Sequence, residues 1–304
     1  MNSNNFYKRT ILEQIFSHKL DKNDINALAL GEFDGIHRAH RKLIEQLGAR
    51  GAMVVIDKNR ADITPKQRRD EFVPNSCFYY DFFSIKGLSS EEFVALLKRD
   101  FPNVKKIVIG YDFRFGRNRE GGIEELEKLF EGKVVIVPEF CYDGISVHTT
   151  KIRAFLRSCE IFQANRLLGR EYALVGFVQK GQGIGGKELY PTVNLRVEEY
   201  LIPGFGVYAG RTKIKENIYD SVIFIGQRLS TDEKFSLETH ILDIKVETKE
   251  NEKCELFFVD FIRQNRKFFK LDDLKMQISE DIKNARESLK SCKIYPDQLT
   301  KVIR

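Results

Sequence analysis

The sequence has no tryptophan, only seven prolines and only five cysteines in 304 residues. So few prolines rule out a Pro-rich spacer between domains. The cysteines (Cys77, Cys141, Cys159, Cys254 and Cys292) are odd in number, widely spaced and never arranged as CxxC. That usage argues against a disulfide framework and against a zinc site, and for a reducing, cytoplasmic setting. No apolar run approaches the roughly 18 residues that a membrane span needs, so no membrane partner is expected. The opening stretch, MNSNNFYKRTILEQIF, lacks a long apolar h-region and a small-residue cleavage site, so no secretory signal is read there. An excess of one charge sign is also nearly absent: 50 Lys and Arg stand against 44 Asp and Glu, for a net +6. That mild surplus suits anionic small molecules as well as nucleic acid. No dense basic run offers a track along a phosphate backbone, which argues against nucleic acid.

What is present is ample core-forming material: 42% hydrophobic residues, with 24 Phe and 11 Tyr. This excludes a disordered, collagenous or coiled-coil protein. At about 150 residues per domain the length favours two domains. The texture changes near residue 165, dividing the chain into residues 1–165 and 166–304. In the first part, strand candidates INALAL, AMVVI, KKIVIG and KVVIVP alternate with helical patterns RKLIEQL, SSEEFVALLKRDF, GIEELEKLF and TTKIRAFLRS. Such alternation implies an α/β domain with parallel βαβ units and helices on both faces of the sheet. The second part runs strand upon strand: YALVGFV, TVNLRV, GVYAGRTKI, DSVIFIG, SLETHILDI and CELFFVDFI. Their spacing indicates an antiparallel barrel or sandwich. The charged centre of ILDIKVETKENEKCELFFVDF places a hairpin tip near Glu250 to Lys253. A final helix follows, with Leu271, Leu274, Ile278, Ile282, Ala285 and Leu289 stepping by three or four.

Two segments carry candidate chemistry. LGEFDGIHRAH leaves a strand, turns through Gly31 and Gly35 and enters a helix, with His37 and His40 sharing one face of its first turn. Backbone N–H groups and the helix dipole favour anions there, and two imidazoles could stabilise charge developing on a pentavalent phosphorus. GQGIGGKELYPTVNL is the second. Gly181, Gly183 and Gly186 satisfy G-x-G-x-x-G, and Lys187 nearly completes a P-loop. Both motifs demand a helix directly after the glycines. Pro191, Thr192 and Val193 oppose one, so both readings are rejected. There remains a glycine loop, able to cradle phosphates with backbone amides, that enters a strand through Pro-Thr-x-Asn.

GEFDGIHRAH resembles the G-x-F-D-G-V-H-x-G-H signature of the bacterial bifunctional riboflavin kinase/FAD synthetase family. VIGYDFRFGRNREG, HTTKIRAFL and LLGREY are similar to further segments of its N-terminal half and of the junction between halves. YPTVN resembles the F-P-T-A-N motif of riboflavin kinases. GVYAG, LETHILD and FIRQNRKF resemble their later strands and flavin-side segment. The resemblance implies an N-terminal α/β nucleotidylyltransferase domain with a Rossmann-like parallel sheet, followed by an antiparallel six-stranded β-barrel riboflavin kinase domain with a C-terminal helix. It implies that riboflavin and ATP give FMN, and that FMN and ATP give FAD and pyrophosphate, with Mg²⁺.

Carried over by position, His37 and His40 contact the ATP phosphates as catalytic residues. Gly31 and Asp34 shape the turn, and Asp112 lies near the nucleotide. Thr149, Thr150 and Arg153 complete the triphosphate site, although an ordinary helix cap is the plainer reading of the two threonines. Gly181, Gly183 and Gly186 serve the kinase nucleotide. Thr192 and Asn194 sit at Mg²⁺ and the ATP phosphates, and Glu238 is the kinase base. Arg263, Ile282 and Arg286 line the flavin pocket. Phe113 and Phe115 are read as core packing, and His240 as structural. The chain departs from the pattern at Ala39, where the family has glycine, and at VIDKNR (Val55 to Arg60), which replaces T-F-x-P-H-P. These departures leave open an alternative, a riboflavin kinase whose N-terminal half binds nucleotide without making FAD.

Overall fold

Residues 20–60, 62–180, 190–228 and 235–291 are described by the structure, a computed structural model. They form two units. One holds residues 20–60 and 64–147; the other holds 62–63 and 148–291.

In the first unit, five strands make a parallel sheet in the order β3-β2-β1-β4-β5. They are β1 (Ala27–Gly31), β2 (Gly51–Asp57), β3 (Ser76–Asp81), β4 (Lys106–Gly110) and β5 (Lys133–Val137). The central strands are apolar on both sides because both sides are covered. Leu28, Leu30, Ala52, Val54, Ile107 and Ile109 face one core, with Phe93, Val94, Leu97 and Leu126. Their alternates Ala27, Ala29, Met53, Val55 and Val108 face the other, with Leu43 and Ile44. The covering helices are α1 (Arg38–Ile44) on the second face, and α3 (Ser90–Asp100) and α4 (Ile123–Leu129) on the first, while α2 (Phe82–Ile85) is a single turn after β3. Ser89 opens α3: its hydroxyl accepts the Glu92 amide and the Glu92 carboxylate accepts the Ser89 amide.

The sequence reading misses β3. Its residues SCFYYD lack an apolar run because it is an edge strand, and two of its side chains are tyrosines that donate to Asp70 and Asp100. A two-stranded hairpin, β6 (Cys141–Tyr142) with β7 (Ile145–Ser146), turns through Asp143 and Gly144, both at positive φ.

The second unit begins with α5 (Thr149–Arg157) and α6 (Ile161–Leu168). Buried Asn165 explains why α6 belongs with the barrel: its side chain donates to the Phe258 carbonyl at 2.8 Å and accepts the Tyr172 amide at 2.6 Å. Six antiparallel strands close a barrel in the order β10-β11-β12-β9-β8-β13. They are β8 (Tyr172–Gln179), β9 (Val193–Arg196), β10 (Gly206–Ile214), β11 (Asn217–Gln227), β12 (Phe235–Ile241) and β13 (Lys253–Arg263). Of the two architectures that strand spacing left open, the barrel is the one formed. Register shifts between β10 and β13 fall at Val207/Tyr208 and at Ala209/Gly210, and a Cβ added at Gly210 would lie 2.4 Å from Ile223 and from the Phe257 carbonyl oxygen.

The hairpin expected at Glu250 to Lys253 is not one. β12 pairs with β11 and β9, while β13 pairs with β10 and β8. Residues 242–252 therefore cross from one strand to the other past β9 and β8, and their final turn is tied to β8 through Val178. Charge at the centre of a segment marks a solvated turn but not which strand comes next.

The helix α7 (Leu271–Ser291) lies on the outer wall. Ala285 and Leu289 are buried with Val207, Ala209, Val222 and Val259, and Ile282 packs against them beside Phe224. Its apolar stripe is buried only in the C-terminal half, since Leu271 is 40% exposed. Arg263 of β13 pins the helix by a two-pronged pair with buried Asp281, at 2.8 and 2.7 Å. Replacing Asp281 by Ala leaves that guanidinium and the Gln277 amide without their acceptor. We expect a loss of about 3 kcal/mol, read as a lower urea midpoint at unchanged slope.

Candidate functional site

In the second unit, strand alternation brings the kinase candidates together. Val222 and Phe224 of β11 face α7, and they stand opposite His240 and Glu238 of β12. Glu238 in turn pairs with Asn194 of β9. Glu238, Asn194 and Phe224 thus share the face that α7 partly covers. The intervening residues point inward, where the Thr212, Ser221 and Thr239 hydroxyls form a fully buried network.

Thr192 Oγ1 donates to Glu238 Oε2 at 3.0 Å, and Ser236 Oγ donates to Oε1 at 2.7 Å. Ser236 Oγ also lies 3.2 Å from Asn194 Oδ1, and an Arg228 guanidinium nitrogen is 3.9 Å from Oε1. Two hydroxyl donors thus orient the carboxylate, with a cation nearby. Ser236 and Arg228 were not picked out in the sequence. Ser236 had a signal, since two residues before Glu238 in a strand is the same face.

The segment that carries Thr192 is held from both sides. His240 Nδ1 donates to the Pro191 carbonyl at 2.8 Å, which fixes its tautomer and makes it a structural residue as read. The Tyr190 hydroxyl meets Ser279 of α7 at 2.9 Å. Thr192, Asn194 and Glu238 therefore offer clustered oxygen donors. Hard divalent cations take such donors in small number and complete their shell with water and substrate phosphate, so these residues fit Mg²⁺.

Of the flavin-pocket candidates, Ile282 and Arg286 are on α7 and Arg263 ends β13. Ile282 packs against the same apolar cluster as Phe224, the residue opposite Glu238. Arg263 is engaged by Asp281, and Arg286 by Asp243 through two bonds of 2.8 and 2.7 Å. Gly181, Gly183 and Gly186 fall outside the described residues. Thr149 and Thr150 begin α5, where His148 rather than a threonine occupies the N-cap. Arg153 of that helix donates to buried Asp62 at 2.6 Å.

In the first unit, the corner between β1 and α1 is built by unusual backbone. Phe33, Gly35 and Ile36 all have positive φ, at 49°, 89° and 40°. Asp34 is buried in that turn and accepts the Thr64 amide at 3.0 Å. Gly31 ends β1 just before it. His37 is the N-cap of α1, and its Nδ1 accepts the His40 amide at 3.3 Å, so a neutral His37 carries its proton on Nε2. The His37 and His40 rings stack at 3.5 Å and 18°, with Phe33 edge-on to His40. Asp112 lies just past the carboxyl end of β4, the strand beside β1, where the winding of the sheet reverses. Open parallel sheets bind ligands at that point. Phe113 and Phe115 stack on one another in the core, as read from the sequence.

Arg38 and Arg41 of α1 were not foreseen. Arg38 lies over the Tyr142 ring at 4.1 Å. Burial, with Arg38 beside it, lowers the Arg41 guanidinium to about 10. Of the described cysteines, Cys77, Cys159 and Cys254 are buried but Cys141 is exposed. Burial pushes the Cys254 thiol up to about 12, which suits packing rather than chemistry.

Comparison with known proteins agrees in both halves. The riboflavin kinase family model matches residues 168–289 and the FAD synthetase model matches residues 56–151. A bifunctional riboflavin kinase/FMN adenylyltransferase of Buchnera aphidicola (from Acyrthosiphon pisum) is 32% identical, covering 86% of this chain and 92% of that protein. The protein of the same name from Escherichia coli K12 is 28% identical, covering 86% and 91%. Among solved structures, a Streptococcus pneumoniae chain named a macrolide-efflux protein superposes with a TM-score of 0.77 at 26% identity, covering 88% of this chain and 97% of that one. No described helix of the present chain is long and apolar enough to cross a membrane. A parallel sheet with paired histidines at its central corner, a barrel with Thr192, Asn194 and Glu238 gathered on one wall, and relatives matched along nearly their whole length make this chain a member of the bifunctional riboflavin kinase/FMN adenylyltransferase family.

Proposed function

We propose that this chain phosphorylates riboflavin to FMN on the barrel and adenylylates FMN to FAD at the β1–α1 corner, with ATP as co-substrate of both steps. The adenylyltransferase is assigned to residues 1–165 and the kinase to 166–304, a division compatible with matches at 56–151 and 168–289. The observation that carries the reading is the carboxylate of Glu238, held by Thr192 and Ser236 beside Asn194.

In the kinase step, Glu238 accepts the proton of the ribityl 5′-hydroxyl as that oxygen attacks the γ-phosphorus. Thr192 spends its hydroxyl hydrogen on Glu238, which leaves its lone pairs for a cation. Thr192 and Asn194 would hold Mg²⁺, which would neutralise phosphate charge, and positioning supplies most of the remaining rate. In the second step, an FMN phosphate oxygen bonds to the α-phosphorus of ATP, and the bond to the bridging oxygen breaks to release pyrophosphate. Nε2–H of His37 and the ring of His40 are suited to donate to those phosphates as charge builds. Thr149, Thr150 and Arg153 are assigned to nucleotide phosphates, Gly181, Gly183 and Gly186 to the kinase nucleotide, and Arg263, Ile282 and Arg286 to the flavin. A kinase-only reading is not favoured, because the relatives named as bifunctional match across both halves. The cysteine spacing supports a cytoplasmic setting.

The test is to incubate the pure chain with riboflavin, ATP and Mg²⁺ and resolve the flavins chromatographically. FMN followed by FAD is expected. FMN accumulating without FAD would reduce the function to the kinase, and unchanged riboflavin would sink both assignments.

A further inference from the structure

At the carboxyl ends of β1 and β2 lies a group of charges that neither the histidine pair nor the barrel uses. Glu32 follows Gly31, and its carboxylate is shared by two cations. Lys58 Nζ donates to Oε1, and Arg60 Nη2 donates to Oε2 at 2.8 Å. Both cations come from VIDKNR, the stretch in which this chain departs from T-F-x-P-H-P.

The local backbone explains why they converge. Asn59, between them, adopts a left-handed φ of 49°, a conformation that asparagine tolerates better than most side chains. It is fixed there by its amide donating to Asp57 and its side chain donating to Asp81, both at 2.9 Å. The turn at Asn59 thus delivers Lys58 and Arg60 to the same carboxylate. Both cations reach the one Glu32 carboxylate, and all three groups are between 31% and 46% exposed. The Lys58 ammonium also lies 5.4 Å from the centre of the Phe82 ring, and Phe83 beside that ring is 58% exposed. The neighbourhood therefore pairs an anion-binding fork with aromatic surface, a combination suited to a phosphorylated aromatic ligand.

We propose that Lys58 and Arg60 form the phosphate subsite for FMN in the adenylyl-transfer step, and that the FMN phosphate takes the place of the Glu32 carboxylate. This rests on the adenylyltransferase reading above. It deepens that reading by naming the residues that recognise the phosphate of the flavin substrate. Glu32 is five residues before His37, so a phosphate held in its place enters the same loop that presents the histidine pair. In the resting enzyme the Glu32 carboxylate occupies the fork. When FMN binds, its dianionic phosphate offers the fork more charge and more acceptors than a carboxylate does.

The full chain is assayed for FAD formation with FMN varied at saturating ATP, then with ATP varied. Lys58→Gln combined with Arg60→Gln is expected to raise the KM for FMN about tenfold, with the KM for ATP and the rate of FMN formation from riboflavin unchanged. Glu32→Gln removes the competing charge and is expected to lower the KM for FMN. FAD formed with an unmoved KM for FMN in the double variant overturns this assignment alone. A Glu32→Gln variant whose KM rises also overturns it, because the carboxylate then positions the fork rather than yielding to phosphate. A wild-type chain that makes no FAD overturns both this assignment and the reading beneath it.

Discussion

Glu238→Gln is expected to lower FMN formation by about two to four orders of magnitude, the usual worth of a positioned general base. Conversion of supplied FMN to FAD should be retained. Glutamine preserves the size of the side chain and one acceptor oxygen, but it cannot take the ribityl proton. It also cannot accept from Thr192 and Ser236 at once, because one carboxylate oxygen becomes an amide nitrogen. The loss should fall mainly on kcat, since a proton acceptor contributes most as the hydroxyl attacks. Steady-state rates of the two steps, measured separately on the same preparation, check this. If a folded variant lost both activities, the assignment of one step to each half would be wrong. Ser236→Ala offers a graded comparison. It removes one donor to the carboxylate while keeping the base, so FMN formation should fall by less than in Glu238→Gln.

His40→Ala should produce the opposite pattern, with FAD formation down by about two to three orders of magnitude and FMN formation intact. His40 is a cleaner probe than His37. His37 caps α1 through Nδ1, so its replacement adds the cost of a lost cap, about 1 kcal/mol, to any loss of phosphate contact. His40 stacks on His37 and meets Phe33 edge-on, and it is His37 that holds the N-cap of α1. The measurement is FAD produced from FMN and ATP. An adenylylation rate in the variant equal to that of the parent would remove His40 from the chemistry.

These residues could be found in the sequence because their spacing is local. His37 and His40 lie on one helical turn, and Ser236, Glu238 and His240 alternate along one strand. The apolar runs likewise gave four of the five parallel strands and all six barrel strands. What was missed depends on pairings distant in sequence. β3 is an edge strand whose tyrosines satisfy their hydroxyls on distant aspartates, so no apolar period announces it. The partner of β13 could not be read from its neighbour in sequence, because β9 and β8 come between β12 and β13. Lys58 and Arg60 look like ordinary surface charges until the turn at Asn59 brings them onto Glu32.

That order of strands has a consequence for how the protein comes off the ribosome. The parallel sheet is complete once β5 has been made, so the first unit can consolidate early. The barrel instead joins its earliest strand to its latest: Tyr172 pairs with Phe258, and β10 waits for the same strand on its other side. Until β13 has emerged, both β8 and β10 keep an open edge, and closing so long a loop is slow compared with forming local contacts. The kinase half is therefore the late-folding part of the chain, and its nascent form exposes two unpaired edges while the sheet that precedes it is already whole.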